Sequence, residues 1–229
     1  MVNTPVADRG RKLLESCELF SPLDAQARHE IAAYAQPRHF ATGEPICRVD
    51  DHGHSMMAVV IGTVRISLPT AKGKEIILAD LQPGELFGEI ALLDGKPRSA
   101  NATALTNCEL MVLERRDLVP FLERNPAVCM KLMEILCARI RRSEARMSDI
   151  AFVNLPIRLA KTLLSYKPQS SGLIKLSLTQ TELAEMAGAT REKVNRCLRD
   201  WQRQGILELK DRWTIVRKPE ALRELLKSA

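Results

Sequence analysis

No run of about 18 apolar residues occurs anywhere in the 229-residue chain, which argues against a membrane-spanning helix. The opening MVNTPVADRGRKLLE lacks the apolar centre of a secretory leader, so a cytoplasmic location is expected. Six cysteines at 17, 47, 108, 129, 137 and 197 form no C-x-x-C, and the Cys129/Cys137 spacing fits no common metal site. They read as reduced, mostly buried thiols. The four histidines lie at 29, 39, 52 and 54. His52-Gly53-His54 sits in an Asp/Gly-rich turn, and no metal is expected there. A Walker loop and a nucleophile–base pair are also missing, which sets enzyme function aside.

Positive charge, by contrast, is concentrated. From Phe152 to Ala229 there are 15 Lys/Arg against 8 Asp/Glu, while the preceding residues hold 19 against 20. The whole excess lies in the last third, as expected for a C-terminal domain that binds a polyanion.

The chain divides by texture. Residues 9–35 read as helical, with Leu13, Leu14, Leu19, Leu23, Ile31 and Tyr34 broken by Ser21-Pro22. From about 38 to 113, short β-rich runs (MMAVVIGTVRISL, EIILADL, CELMVLE) alternate with Gly, Pro and Asp. That pattern predicts an antiparallel barrel or jelly roll. Residues 117–151 read as helical again, with Asn125-Pro126 opening a long stretch. There Val128, Leu132, Leu136, Ile140, Ser143, Met147 and Ile150 form a coiled-coil-like seam. The seam predicts dimerisation, with Ser143 as its polar break. Asn154-Leu155-Pro156 marks a hinge, because the residue before proline avoids the helical region.

Residues 179–201, TQTELAEMAGATREKVNRCLRDW, carry a helix-turn-helix. Thr179 and Glu182 make a capping box, Gly188 ends the first helix, and Thr190 caps the second. The second helix presents Arg191, Glu192, Lys193, Asn195, Arg196 and Arg199, residue types suited to base edges and phosphates in the major groove. GILELKDRWTIV follows as a two-stranded wing turning at Lys210-Asp211.

The stretch GELFGEIALLDGKPRSANATA, residues 84–104, places Glu89 and Arg98 inside an otherwise apolar run. Buried charges need partners. The two could pair with each other, or both could serve a ligand carrying a phosphate and a hydroxyl. The arginine fork suits phosphate oxygens, Gly88 lets backbone approach closely, Ser99 adds a donor, and EIALLD could start a helix whose N-terminus favours an anion.

FGEIALLDGKPRSA resembles the phosphate-binding cassette of cyclic-nucleotide-binding domains. Together with the long helix and TREKVNR, the chain over roughly residues 15–217 resembles the Crp/Fnr family of bacterial transcription factors. The resemblance implies an α+β chain in three parts. These are a cyclic-nucleotide-binding β-roll (jelly roll) over 1–117, a long dimerisation helix and hinge over 118–153, and a winged helix-turn-helix over 154–229. It implies a homodimer gated by a cyclic nucleotide, with cyclic AMP the expected effector. Arg98 would hold the cyclic phosphate and Glu89 the ribose 2′-hydroxyl, with Gly88, Ile90 and Ser99 beside them. Ser143 and Glu144 fall where the long helix touches the base. Glu144 departs from the hydroxyl of the family pattern, which bears on base preference.

On the DNA side, Arg191, Glu192 and Arg196 match the family's base-reading trio, which implies palindromic double-stranded sites with TGTGA-like half-sites. Lys193 and Asn195 depart from that pattern. RNA polymerase is an implied partner. The alternative is a regulator of the same family that binds DNA without cyclic AMP.

Overall fold

The structure is a computed structural model that describes residues 17–70, 75–166, 172–210 and 213–227. The expected positions Leu13, Leu14, Gly73 and Asp211, and the loop 167–171, lie outside the described residues. Two compact units, Met1–Arg139 and Ile140–Ala229, divide the chain.

In the first unit a 3-10 turn, Glu18–Phe20, precedes helix α1 (Ala25–Tyr34), and the break falls at Ser21-Pro22 as expected. Asp24 caps α1 by accepting from Ala27 N at 2.8 Å. The strands are β1 (Gln36–Phe40), β2 (Pro45–Cys47), β3 (Ser55–Ile61), β4 (Val64–Pro69), β5 (Glu75–Leu81) and β6 (Leu86–Phe87). Helix α2 (Glu89–Asp94), β7 (Asn101–Ala104) and β8 (Cys108–Glu114) follow.

They pair as two four-stranded antiparallel sheets, β1-β8-β3-β6 and β2-β7-β4-β5. Alternating residues of both sheets, including Met57, Val59, Leu110 and Val112 against Val64, Leu81, Ala102 and Ala104, enclose one apolar core. This is the jelly roll that the turn spacing predicts. Arg65, buried on β4, is neutralised by a two-pronged bond to Asp80 of β5 at 2.8 and 2.9 Å.

Helix α3 (Arg115–Arg124) and the 27-residue α4 (Pro126–Phe152) complete the helical part. The start of α4 does not carry a free seam. Val128 and Leu132 are buried with Phe20, Ile31, Leu92, Leu118 and Phe121, and Leu136 packs against the same cluster. The expected stripe therefore merges two faces, since heptad spacing alone does not tell core from interface. The exposed apolar face carries Met130, Met133, Cys137, Ile140 and Met147, with Glu144 in step with them. Residues at these three- and four-residue spacings line one side of a helix.

In the second unit α4 ends at Phe152, and α5 (Leu155–Leu164) begins after Asn154, whose side chain accepts from Ile157 N at 3.2 Å. Leu155, expected to stand outside the helix, is its first residue. Pro156 fits the first turn, where its missing N–H has no bond to make. Strand β9 (Ile174–Leu176), α6 (Gln180–Ala187), α7 (Arg191–Arg203), β10 (Leu207–Lys210) and β11 (Trp213–Val216) follow. The last three strands order as β10-β11-β9. A final helix, α8 (Pro219–Lys227), buries Leu222 in the core of this unit, with Leu163, Leu183, Val194, Leu198 and Trp201.

Two arginines tie α6 to its neighbours. Arg146 of α4 donates to the carbonyls of Glu185 and Met186 at 3.3 and 3.0 Å. Arg158 of α5 donates to Ala187, Gly188 and Val153 at 2.9, 3.2 and 2.6 Å. Burial holds the Arg146 guanidinium below its ordinary pKa.

Candidate functional site

The cassette builds itself around one arginine. Gly88 has φ +82°, and a Cβ there would stand 2.4 Å from Arg98 Nη1 and 2.9 Å from the Ser55 carbonyl oxygen. Glycine is thus required both for the left-handed backbone and for the space. Gly53 has a parallel role, since a Cβ on it would meet that of Ala91 at 2.3 Å and approach Arg98 Cδ at 3.4 Å.

Arg98 is 6% exposed. Its Nη1 donates to the carbonyls of Ser55 at 2.7 Å and Gly88 at 3.1 Å, and its Nη2 donates to Ser55 Oγ at 2.9 Å. Its Nε is buried with no hydrogen-bond partner. The end-on edge of the guanidinium is therefore spent on Ser55. The side-on edge, formed by Nε–H and the second Nη2 hydrogen, remains for something else.

Glu89 is 2% exposed and does not pair with Arg98. One carboxylate oxygen accepts from Arg139 of α4, which also donates to the Leu86 carbonyl. The other oxygen, Oε2, is buried without a partner. The cassette thus holds one orphaned donor and one orphaned acceptor, both on charged groups. Orphans of this kind are rare in a folded core and point to a ligand. Ile90 and Ser99 sit beside the pair, both exposed. α2 runs for only six residues, too short for its dipole to hold an anion by itself.

Ser143 and Glu144 are exposed on the part of α4 that belongs to the second unit. His52 and His54 stack with ring centroids 6.1 Å apart, and among the described residues no cluster of His, Cys, Asp or Glu could hold a metal ion.

The second unit carries the helix-turn-helix. Thr179 Oγ1 accepts from Glu182 N at 3.1 Å, and Thr179 N in turn donates to Glu182 Oε2 at 2.7 Å. Gly188 closes α6 at φ +62°, and Thr190 caps α7. Val194, Leu198 and Trp201 turn inward, which leaves Arg191, Glu192, Lys193, Arg196 and Arg199 exposed. Asn195 differs from them: it is half-buried, and its Oδ1 is enclosed without a partner. In the wing, Glu208 pairs with both Lys210 and Arg217. The bond from Lys210, then that from Arg217, holds its carboxyl below the usual range. Lys175 lies over the Trp213 ring at 4.0 Å.

Known proteins show the same two modules in the same order. The model of the cyclic nucleotide-binding domain matches residues 37–125, and that of the Crp-like helix-turn-helix domain matches 157–225. The cyclic AMP receptor protein of Thermus thermophilus is 33% identical over 212 residues, 93% of this chain and 98% of that protein. The CRP-like cAMP-activated global transcriptional regulator of Mycobacterium tuberculosis is 27% identical over 217 residues, 92% of this chain and 97% of that protein. The solved structure of FixK2 from Bradyrhizobium japonicum superposes with a TM-score of 0.73 at 25% identity, over 83% of this chain and 96% of that one.

Fold and modules define a DNA-binding transcriptional regulator that carries a cyclic nucleotide-binding domain. The chain belongs to the Crp/Fnr family.

Sequence reasoning missed Arg139 and Ser55. Arg139 is the first of three arginines, with Arg141 and Arg142, and no spacing or motif singles it out. Ser55 is a single serine at a strand start, with no motif around it.

Proposed function

We propose that this protein is a cytoplasmic homodimer whose DNA binding is switched by a cyclic nucleotide, cyclic AMP being the expected effector. The observation that carries this reading is the pair of orphaned atoms, Arg98 Nε and Glu89 Oε2. The first wants an acceptor and the second a donor. A cyclic nucleotide offers both, in its phosphate oxygens and its ribose hydroxyl. Both atoms are closed off from solvent, so an effector parts the side chains over them as it enters.

Ser143 and Glu144 would meet the base. The exposed face of α4, with Met130, Met133, Cys137, Ile140 and Met147, is the surface for the second copy. Arg191, Glu192 and Arg196 would read TGTGA-like half-sites of a palindrome, with Thr179, Thr190, Lys193, Asn195 and Arg199 in supporting contacts. Action on transcription would then pass through RNA polymerase. Coupling between effector and DNA in such a switch amounts to about 1–3 kcal/mol.

A second reading rests on Glu144, which stands where the family pattern has a hydroxyl. A carboxylate there favours a ligand rich in donors and admits an effector other than cyclic AMP.

Calorimetric titration of the nucleotide-free chain with cyclic AMP and cyclic GMP tests the first reading. Micromolar binding of cyclic AMP that is lost in Arg98→Ala, together with tighter binding to a TGTGA palindrome when cyclic AMP is present, is the expected result. DNA binding that ignores both nucleotides would favour the second reading.

A further inference from the structure

The Arg98 guanidinium is held by a residue that no motif marks. We infer that Ser55 is the positioning residue of the anion grip: its two oxygens fix the plane of the Arg98 guanidinium so that the side-on edge faces the ligand. The inference rests on the reading of Arg98 as the phosphate-binding residue.

Arg98 lies between α2 and β7, in a segment with no regular structure. Its main chain is fastened first. Arg98 N donates to the Asp51 carbonyl at 2.8 Å, and Asp50 N donates to the Arg98 carbonyl at 3.0 Å. The turn that supplies these partners is itself fixed, with Arg48 N donating to Asp51 Oδ2 at 2.7 Å and Asp50 at φ +69°. The shaft of the side chain then passes Gly53, where a Cβ would come within 3.4 Å of Cδ. The head reaches Ser55, the first residue of β3, which is buried and registers with Glu114 on β8. An irregular segment thus borrows its precision from a central strand.

The bonds divide in a telling way. The Ser55 and Gly88 carbonyls both take Nη1, and only Ser55 Oγ takes Nη2. Two bonds on one nitrogen leave a pivot about that nitrogen. The third bond, to the hydroxyl, stops the rotation. With it, Nε–H and the free Nη2 hydrogen point in a fixed direction. Without it, the guanidinium swings and the fork loses its aim. A bidentate arginine adds geometric selectivity to its charge only while its plane is fixed.

The phosphate of a cyclic nucleotide has two non-bridging oxygens that a chiral site can tell apart. Replacing one or the other with sulfur, a weaker acceptor, gives the Rp and Sp phosphorothioates. A fixed fork should discriminate between them, and a pivoting fork should not.

The experiment uses the full chain and its Ser55→Ala and Ser55→Thr variants. Dissociation constants are measured by calorimetry for cyclic AMP and for its Rp and Sp phosphorothioates. Ser55→Ala should weaken cyclic AMP binding by about 10-fold, the lower end for losing one charge-assisted bond, and bring the Rp/Sp affinity ratio toward unity. Ser55→Thr keeps the hydroxyl and should restore the ratio. In the ligand-free chain, the Arg98 Nε–H resonance, assigned through Arg98→Lys, should be sharp in the parent and in Ser55→Thr but broadened in Ser55→Ala.

An unchanged Rp/Sp ratio and an unchanged Nε–H resonance in Ser55→Ala would overturn the inference alone. The same holds if threonine fails as badly as alanine, because packing rather than the hydroxyl would then be at work. Failure of the parent chain to bind any of the three nucleotides would overturn the phosphate reading of Arg98, and this inference with it.

Discussion

Replacing Arg139 by alanine should expose how much the first unit depends on one ion pair. Glu89 is 2% exposed at its side chain, and Arg139 is 28% exposed. Deleting one member of a fully buried pair costs about 3–5 kcal/mol, because the other charge is stranded. Here Arg139 reaches solvent along one side, so water can enter the vacated space. That brings the expected loss down to about 2–3 kcal/mol.

Glu89→Gln removes the charge that would be stranded. In the Arg139→Ala background it should therefore recover most of the loss, giving a coupling of at least about 1.5–2 kcal/mol once the cost of Glu89→Gln alone is counted. The two tryptophans, Trp201 and Trp213, both lie in the second unit. In urea unfolding, their fluorescence reports on that unit, while far-ultraviolet circular dichroism reports on both. The expected result is a dichroism transition that shifts while the fluorescence transition stays in place. If the losses from Arg139→Ala and Glu89→Gln simply add in the double variant, the pair contributes nothing as a pair and the reasoning is refuted.

Two further outcomes are expected. Gly88→Ala should cost clearly more stability than Gly95→Ala. Both residues have positive φ, which costs about 1–2 kcal/mol with a side chain, but a Cβ at Gly95 meets nothing within 4 Å while one at Gly88 strikes Arg98 and Ser55; equal losses by urea titration would contradict the crowding. The Cys197 thiol, pushed up to about 11 by burial and then by Asp200, should resist alkylation at pH 8 in the native protein and react once urea unfolds the chain. Because the folded pKa is raised, its contribution to stability is full below the unfolded value and fades as pH rises toward 11. Mass mapping of the alkylated cysteines and a stability profile from pH 8 to 11 would check both halves.

The helix-turn-helix was legible almost residue by residue, because local chemistry specifies it: a capping box, a left-handed glycine and an N-cap each act within four residues of chain. The roll was legible from its punctuation, since turns demand particular residues. What escaped was tertiary. Glu89 finds its partner 50 residues away on α4, and the sequence offered Arg98 as the nearer candidate. The long helix showed its heptads but not which face the first unit would claim, so Val128 and Leu132 read as seam when they are core. Helix α8 escaped because the family resemblance ended before it, although PEALRELLK has an amphipathic pattern.

The arginine ties on α6 have a mechanical consequence. Its last carbonyls are gripped by Arg146 from α4 and by Arg158 from α5, and a Cβ on Gly188 would lie 3.1 Å from Ile150 of α4. The DNA-reading motif is therefore geared to the long helix rather than tethered to it. Twist in this part of α4 should then pass on as rotation instead of being absorbed as slack. Substitutions at Arg146 or Ile150 should then retune that gearing while leaving Arg191, Glu192 and Arg196, the proposed base readers, untouched.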